Sequence, residues 1–417
     1  MIPVRSLRDA LRNRAARPLP RGEGGTSSRR ILFLDDMVPD PLFGAGYPRA
    51  HQIVRTLLDA GHWVEFYPMF ATPSHIRRVD ALFEGAVRFH PARGARGLRR
   101  LLRRKGGTFD LLIISRPTPM RTFLDLGWQP AHGVPRPPVV YDAEAVLVPR
   151  EKRRRAVYPP AMTDREYSTE LAAELALIRT ADAVTTVGRA DADIVGSELD
   201  IPTYVLPHST VARADSPGYD ARRDILFVGR LTGTAEHSPN VDSVRYFVTE
   251  VMPALDRLIG DNYRLRLAGL VESENVEQLA SDRIELHGVV EDLSRLYDRC
   301  RVFVAPTRYA AGIPIKVIEA MSQGIPCAVT PLLAEQLDVD ESTVAIGHGA
   351  AGFAGACARL YTDPDTWRGV RDGGLAHVRS AYSPTMFHNR VAEVLDAASA
   401  SRTDPGEIRR RRGGTRS

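Results

Sequence analysis

At 417 residues the chain exceeds what one hydrophobic core organises, and a soft prior of one domain per ~150 residues predicts two. With 43% hydrophobic and 26% charged residues it has an ordinary globular composition, and no apolar run approaches the ~18–20 residues that span a bilayer. The formal charge of +5 sits at the ends, with +6 in residues 1–30 and +4 in 401–417; this leaves −5 for residues 31–400 and argues against a nucleic-acid partner.

Residues 1–30 lack the continuous apolar stretch of a secretory leader. Being rich in Arg, Pro, Gly and Ser, they read as a disordered basic tail, as do residues 401–417. From Ile31 the pattern alternates. ILFL (31–34) predicts a strand, and HQIVRTLLDAGH a helix with Ile53, Leu57 and Leu58 on one face and Gly61 at its end. WVEFYP, DLLIIS (110–115), PVVYD (138–142), AVTTV (183–187) and TYVLP (203–207) predict further strands, with a helix over REYSTELAAELALIRTADA. PGYDARRD (217–224) reads as a link to a second series. That series begins with DILFVG (224–229) and a helix over VDSVRYFVTEVMPALDRL, whose Val244, Phe247, Val248 and Val251 form a stripe. It continues through YRLRLAG, RIELHG, the helix EDLSRLYDRC, RVFVAP and CAVTP.

Strands alternating with helices imply an α/β protein: two Rossmann-like, doubly wound parallel sheets facing a cleft, with ligands at the carboxyl ends of the strands. The expected domains are 31–210 and 211–385, with a last helix at 386–400 packing back on the first domain. Cys300, Cys327 and Cys357 show no metal-binding or disulfide spacing and read as buried free thiols of a reducing compartment.

One segment carries chemistry: YAAGIPIKVIEAMSQGIPCAVTP (309–331). Gly312 permits close approach of a ligand, and Pro314 suits the first turn of a helix because it has no N–H to satisfy. Free N–H groups and the positive end of the helix dipole make an anion site there, to which Lys316 adds a charge. Glu319, one turn on, is a poor phosphate ligand but accepts hydrogen bonds from a vicinal diol such as a ribose. Together they suggest a nucleotide sugar. A surface helix with an i, i+3 Lys–Glu pair is the plain alternative.

This segment resembles the donor-binding signature of GT-B-fold glycosyltransferases of the group 1, family 4-like type. DILFVGRL, SPNVDSVRYFVTEVMPAL and RIELHGVVEDLSRLYDRCRVFVAPT extend the resemblance, as do ILFLDDMVPDPLFGAGYPRAHQ, VVYDAEAVLVPRE and TADAVTTVG in the first half. The resemblance implies a retaining transfer of a hexose-type sugar from a nucleoside diphosphate to a hydroxyl of a glycan, a lipid-linked or a small-molecule acceptor, without bound metal or other cofactor. Arg230, after Gly229, is then the phosphate contact. Lys316 and the N–H groups of Gly312 and Ile313 stabilise the departing diphosphate, Glu319 grips the ribose, and Val289 falls in the base-binding stretch. Residues 31–210 become the acceptor side and 211–385 the nucleotide-sugar domain. The family often shows Glu-x7-Glu; here the first position is Ala311. A second lysine found after the GRL stretch is replaced by a region ending in His237-Ser238-Pro239-Asn240, with Lys316 supplying the charge. His208, in VLPHST, stands where the family commonly has an Asn-Gly turn and reads as a hinge or packing residue rather than an acid–base group. The alternatives are a nucleotide-sugar epimerase or phosphorylase on the same fold, and a non-catalytic nucleotide-sugar binder, to which Ala311 points.

In FGAGYPRAHQ, Gly44-x-Gly46 superficially fits a dinucleotide fingerprint, but DDMVPDPLF spoils the tight turn that fingerprint needs. The loop is expected to face the cleft, with Gly46 near the diphosphate or acceptor and Arg49 as an anion contact. Asp142 and Glu144 follow a strand end and read either as acceptor-binding or proton-accepting carboxylates, or as turn residues. ARGARGLRRLLRRKGG carries seven positive charges and no acid, and REKRRR adds more. Two readings stand: a solvated face, or peripheral contact with an anionic membrane. The expected setting is cytoplasmic, at the inner face of a membrane where polysaccharide is made.

Overall fold

The computed structural model describes residues 28–43 and 46–400, with side chains through Ala398. Both expected tails lie outside the described residues, save for Ser28–Arg30, and Arg30 already opens the first strand.

The N-terminal sheet has seven parallel strands: β1 (Arg30–Asp35), β2 (Trp63–Pro68), β3 (Arg88–Phe89), β4 (Leu111–Ser115), β5 (Val139–Glu144), β6 (Ala183–Thr186) and β7 (Thr203–Val205). Their order is β3-β2-β1-β4-β5-β6-β7. Helices cover both faces, so its central strands are apolar without alternation, and Ile31 to Leu34 are all fully buried. Register is pinned by Phe33 opposite Phe66, whose rings stack at 5.1 Å. The helix Tyr47–Asp59 buries Ile53, Val54 and Leu57. Leu58, expected on that face, is only half-buried because Val54 fills the stripe instead.

The second sheet comprises β8 (Ile225–Val228), β10 (Leu265–Ala268), β12 (Ile284–Gly288), β13 (Val302–Ala305), β14 (Cys327–Val329) and β15 (Ala345–Ile346), in the order β12-β10-β8-β13-β14-β15. A small ladder pairs β9 (Leu231–Thr232) with β11 (Val271–Glu272). The helix expected across 241–258 is interrupted. Pro239–Tyr246 runs into one wide π-turn, Phe247–Val251, before Met252–Ile259. Pro253 explains it: with no N–H and a ring that crowds the carbonyl four residues back, it disfavours a regular α-turn.

The last helix, Pro384–Ala400, leaves the second domain and buries Phe387, Val391, Val394, Leu395 and Ala398 in the core of Ile31 and Phe33. Among the described residues no helix is long and apolar enough to cross a membrane. Cys300, Cys327 and Cys357 are free and buried, and burial pushes the Cys300 thiol up to about 12.

Candidate active site

In an open parallel sheet, the loops that diverge where strand order reverses leave a crevice at the carboxyl ends. In the second sheet that reversal lies between β8 and β13. The loop after β8 carries Gly229 and Arg230, and the loop after β13 leads to the helix Ile315–Ser322. Pro314 is the N-cap rather than a first-turn residue. Gly312 adopts φ +72°, in the left-handed region that favours glycine. The N–H groups of Gly312 and Ile313 have no hydrogen-bond partner among the described residues.

Asn240, at the start of the helix Pro239–Tyr246, ties the two loops together. Its amide nitrogen donates to the Arg230 carbonyl at 3.0 Å, and its amide oxygen accepts from Lys316 Nζ at 2.5 Å. Lys316 also lies 4.6 Å from the centre of the Phe227 ring. The Arg230 side chain is exposed and meets no acid among the described residues. Burial lowers the Lys316 ammonium to about 7 and raises the Glu319 carboxyl. Among the described residues nothing hydrogen-bonds the Glu319 carboxylate, although both side chains are only partly buried. Glycines keep the floor flat. A Cβ on Gly269 would come within 2.2 Å of the Gly229 carbonyl, and Gly269 N donates to Gly288 O at 2.8 Å. Val289 follows at 73% exposure.

The two domains meet at Gly312. A Cβ there would lie 3.2 Å from Val187 Cγ2 and 3.3 Å from Ala145 Cβ. A cavity of about 330 Å³ opens beside this contact, between Gly188–Ile194 and Ala310–Gly312, with Arg153, Asp191 and Gln336 in its wall. The Tyr158 hydroxyl crosses to Asp242 at 2.6 Å, and Arg154 to Glu236 at 2.8 Å.

On the other side of the cleft the reversal lies between β1 and β4. There Asp35, Arg116 and Glu144 converge from the ends of β1, β4 and β5. Arg116 donates to Glu144 at 3.1 Å, lies 3.5 Å from Asp35 and stacks on the Tyr47 ring at 3.8 Å. Arg116 and Glu144 both hold left-handed backbone, φ +73° and +57°, a strain that non-glycine residues keep only where the surroundings enforce it. Asp35 is fully buried, with Oδ2 unpartnered, and burial raises its carboxyl well above the usual range. Burial raises the Glu144 carboxyl as well, and Gly46 packs so closely that a Cβ would overlap the Glu144 carboxylate.

Residues 222–363 match the family model for glycosyl transferases group 1. No curated protein sequence matches the chain. Among solved structures it is similar to sucrose-phosphate synthase from Thermosynechococcus elongatus, at 16% identity and a TM-score of 0.67, over 89% of this chain and 100% of that one. It is similar to HepE of Anabaena in complex with UDP and glucose, at 15% identity and 0.63, over 88% and 100%. TarM follows at 7% identity and 0.64, over 89% and 99%. At these identities the likeness is one of fold, GT-B. The match over residues 222–363 and the GT-B fold together support a transferase.

Within this GT-B fold the expected site residues divide. Gly229, Arg230, Gly312, Ile313, Lys316 and Glu319 gather at one crevice. Gly46 and Glu144 sit together on the opposite wall. Two expectations are corrected. Arg49 is no anion contact: it is fully buried, donates twice to Asp142 at 2.7 and 2.8 Å, and donates to the Leu206 carbonyl at 2.7 Å. Asp142 is no acceptor ligand either, because Ser115 and Thr185 fill its remaining valences at 2.9 and 2.7 Å. Strand alternation alone would put Asp142 and Glu144 on one face; a bulge between them in the pairing of β5 with β6 separates them. Gly44 lies outside the described residues. His208 is buried, and burial lowers its imidazole to about 4, so it stays neutral at pH 7. Sequence reasoning missed Asp35, Arg116 and Asn240 as site residues. The Asp35-Asp36 pair ending an apolar strand was the available signal for the first.

Proposed function

We propose that the enzyme transfers a sugar, with retention, from a nucleoside diphosphate to a hydroxyl acceptor bound on the Glu144 side of the cleft. The carrying observation is the Lys316–Asn240–Arg230 bridge, which ties the Lys316 ammonium to the Arg230 backbone beside the loop of Gly312 and Ile313. In this reading both cations and the unpaired N–H groups of that loop meet the diphosphate. A departing diphosphate gains most from donors already in place when its charge develops, each worth roughly 3–4 kcal/mol of barrier. On the same reading these groups take the part a divalent cation plays elsewhere. Glu319, unpartnered and one turn further in, receives the ribose diol.

Retention follows in this reading from what stands near the sugar. Ala311 offers a methyl where a carboxylate nucleophile would be needed, which argues against a double displacement; retention then requires the hydroxyl to attack on the face the diphosphate leaves. Glu144, oriented by Arg116, accepts the hydrogen bond of the incoming hydroxyl.

A panel of UDP-, GDP-, ADP- and TDP-sugars in a thermal-shift screen tests the donor, starting with UDP-glucose because HepE is complexed with UDP and glucose. Product anomeric configuration by NMR tests retention, and unchanged turnover in EDTA tests the absence of a metal. Ala311 also favours a second reading, a binder without turnover. Donor stabilisation with neither transfer nor donor hydrolysis would select it.

A further inference from the structure

The sequence holds two arginine-rich runs, and the structure sorts them. In residues 150–155 four of five cations are spent inside the protein: Lys152 on Asp164, Arg153 on Glu335, Arg154 on Glu151 and Glu236, and Arg155 on Glu166. The helix Gly94–Lys105 is the opposite case. It buries Leu98, Leu101 and Leu102 and turns Arg96, Arg99, Arg100, Arg103 and Arg104 outward, with Arg93 just before it. None of these six guanidiniums has an acidic partner among the described residues. The acid that Lys105 meets at the end of this helix, Glu65, is fully buried. Against the cost of that burial, a hydrogen bond from His90 and the charges of Lys105 and Arg88 hold it at about 2. It therefore neutralises those neighbours and leaves the outer row untouched.

Beside this helix runs a groove of about 300 Å³, between it and the edge strand β3. Tyr67, Pro91 and Leu101 line it together with Arg88, Arg100 and Arg104. A Cβ on Gly97 would come within 2.3 Å of the Tyr67 hydroxyl, which itself donates to the Gly94 carbonyl at 2.8 Å. The helix starts at the carboxyl edge of its sheet, where the loops after β1 and β2 expose Leu42 at 78% and Phe70 at 56%.

We propose that this arginine face and the groove beside it are the surface on which the enzyme binds an anionic phospholipid bilayer. From Arg93 to Arg104 the row extends ~16 Å, a straight line suited to a plane of phosphates. Apolar side chains among the cations suit a headgroup region, and arginines add about fivefold each to partitioning onto an anionic surface. A polynucleotide site would set exposed stacking aromatics among the cations, whereas Tyr67 is buried and its hydroxyl committed. Because the helix begins at the cleft-forming edge of its sheet, a docked bilayer lies beside the acceptor wall. The inference stands apart from the donor assignment.

The test is flotation of the full chain with vesicles of phosphatidylcholine, with and without phosphatidylglycerol, at low and high salt. Arg96→Gln, Arg99→Gln, Arg100→Gln and Arg103→Gln are combined in one variant. The expected result is binding only to the anionic vesicles, weakened by salt, and lowered roughly a hundredfold or more in the variant at an unchanged melting temperature. The arginines of 1–30 and 401–417 are present in both proteins, so the difference reports this helix alone. No flotation at low salt overturns the proposal. So does equal flotation of the variant, or an arginine dependence seen only on single-stranded DNA.

Discussion

Lys316 and Arg230, 86 positions apart in sequence, are one side chain apart in space: Asn240 accepts from the first and donates to the carbonyl of the second. That amide holds the Lys316 ammonium against the backbone of the Arg230 loop, and the first prediction concerns it. Asn240→Ala should lower kcat/KM about tenfold, and Lys316→Met by roughly 10²–10³. The double variant should be little worse than Lys316→Met alone, because both changes act through one contact. Additive losses in steady-state kinetics would separate the two residues.

Burial depresses the free Lys316 ammonium to about 7, so at pH 8 most of the apoprotein carries it neutral. A bound diphosphate favours the charged form. Donor binding should therefore take up a proton and weaken as pH rises through 7, read by calorimetry in buffers of different ionisation enthalpy. The folded value lies below the unfolded lysine value of ~10.4, so the unfolded chain holds the extra proton between them and stability rises with pH across that window. Lys316→Met should melt higher than the parent at pH 7 while losing donor binding.

Glu319→Ala should cost 10- to 100-fold in nucleotide affinity, about 1.4–2.7 kcal/mol. Deoxyribose donors distinguish its role from mere packing. The parent should reject them and Glu319→Ala should not, measured as the ratio of dissociation constants.

Glu144→Gln keeps the shape beside Gly46 and removes the charge. The acceptor KM should rise about tenfold, near 1.4 kcal/mol, with donor affinity unchanged. A fall in donor affinity instead would move Glu144 to the other side of the reaction.

Arg49→Met leaves Asp142 buried without its counter-charge and should cost about 3–5 kcal/mol of stability. Against the cost of burial, Arg49 lowers the Asp142 carboxyl, so the pair's contribution is present above the unfolded value near 3.9 and lost as pH falls below it. Chemical denaturation at pH 7 and at about pH 2.5 measures both.

Much of this was legible in the sequence because buried parallel strands are written as unbroken apolar runs, and because Gly-Ile-Pro before Lys316 marks a helix start in any context. Other features were not. Whether Asp142 or Glu144 faces the cleft turns on a bulge between β5 and β6, and a one-residue change of pairing leaves no trace in composition. Arg116 sits in left-handed backbone where propensity expects glycine or asparagine. Asn240 follows a proline at a helix start, where an amide ordinarily signals a cap. Only the folded juxtaposition of β8 and β13 shows which partner it takes.

The chain passes between its domains twice, once near Thr210 and again near Tyr382, and the two passages are hydrogen-bonded to each other from Thr210 N to Tyr382 O at 2.8 Å. Such a two-ply strap resists torsion better than a single tether and leaves a rocking movement about its own line as the easy motion. The final helix clamps one end of that strap into the core of Ile31 and Phe33. Entry and exit of substrate are thus confined to a jaw-like swing, and a cut between residues 382 and 384 would free the jaws to twist.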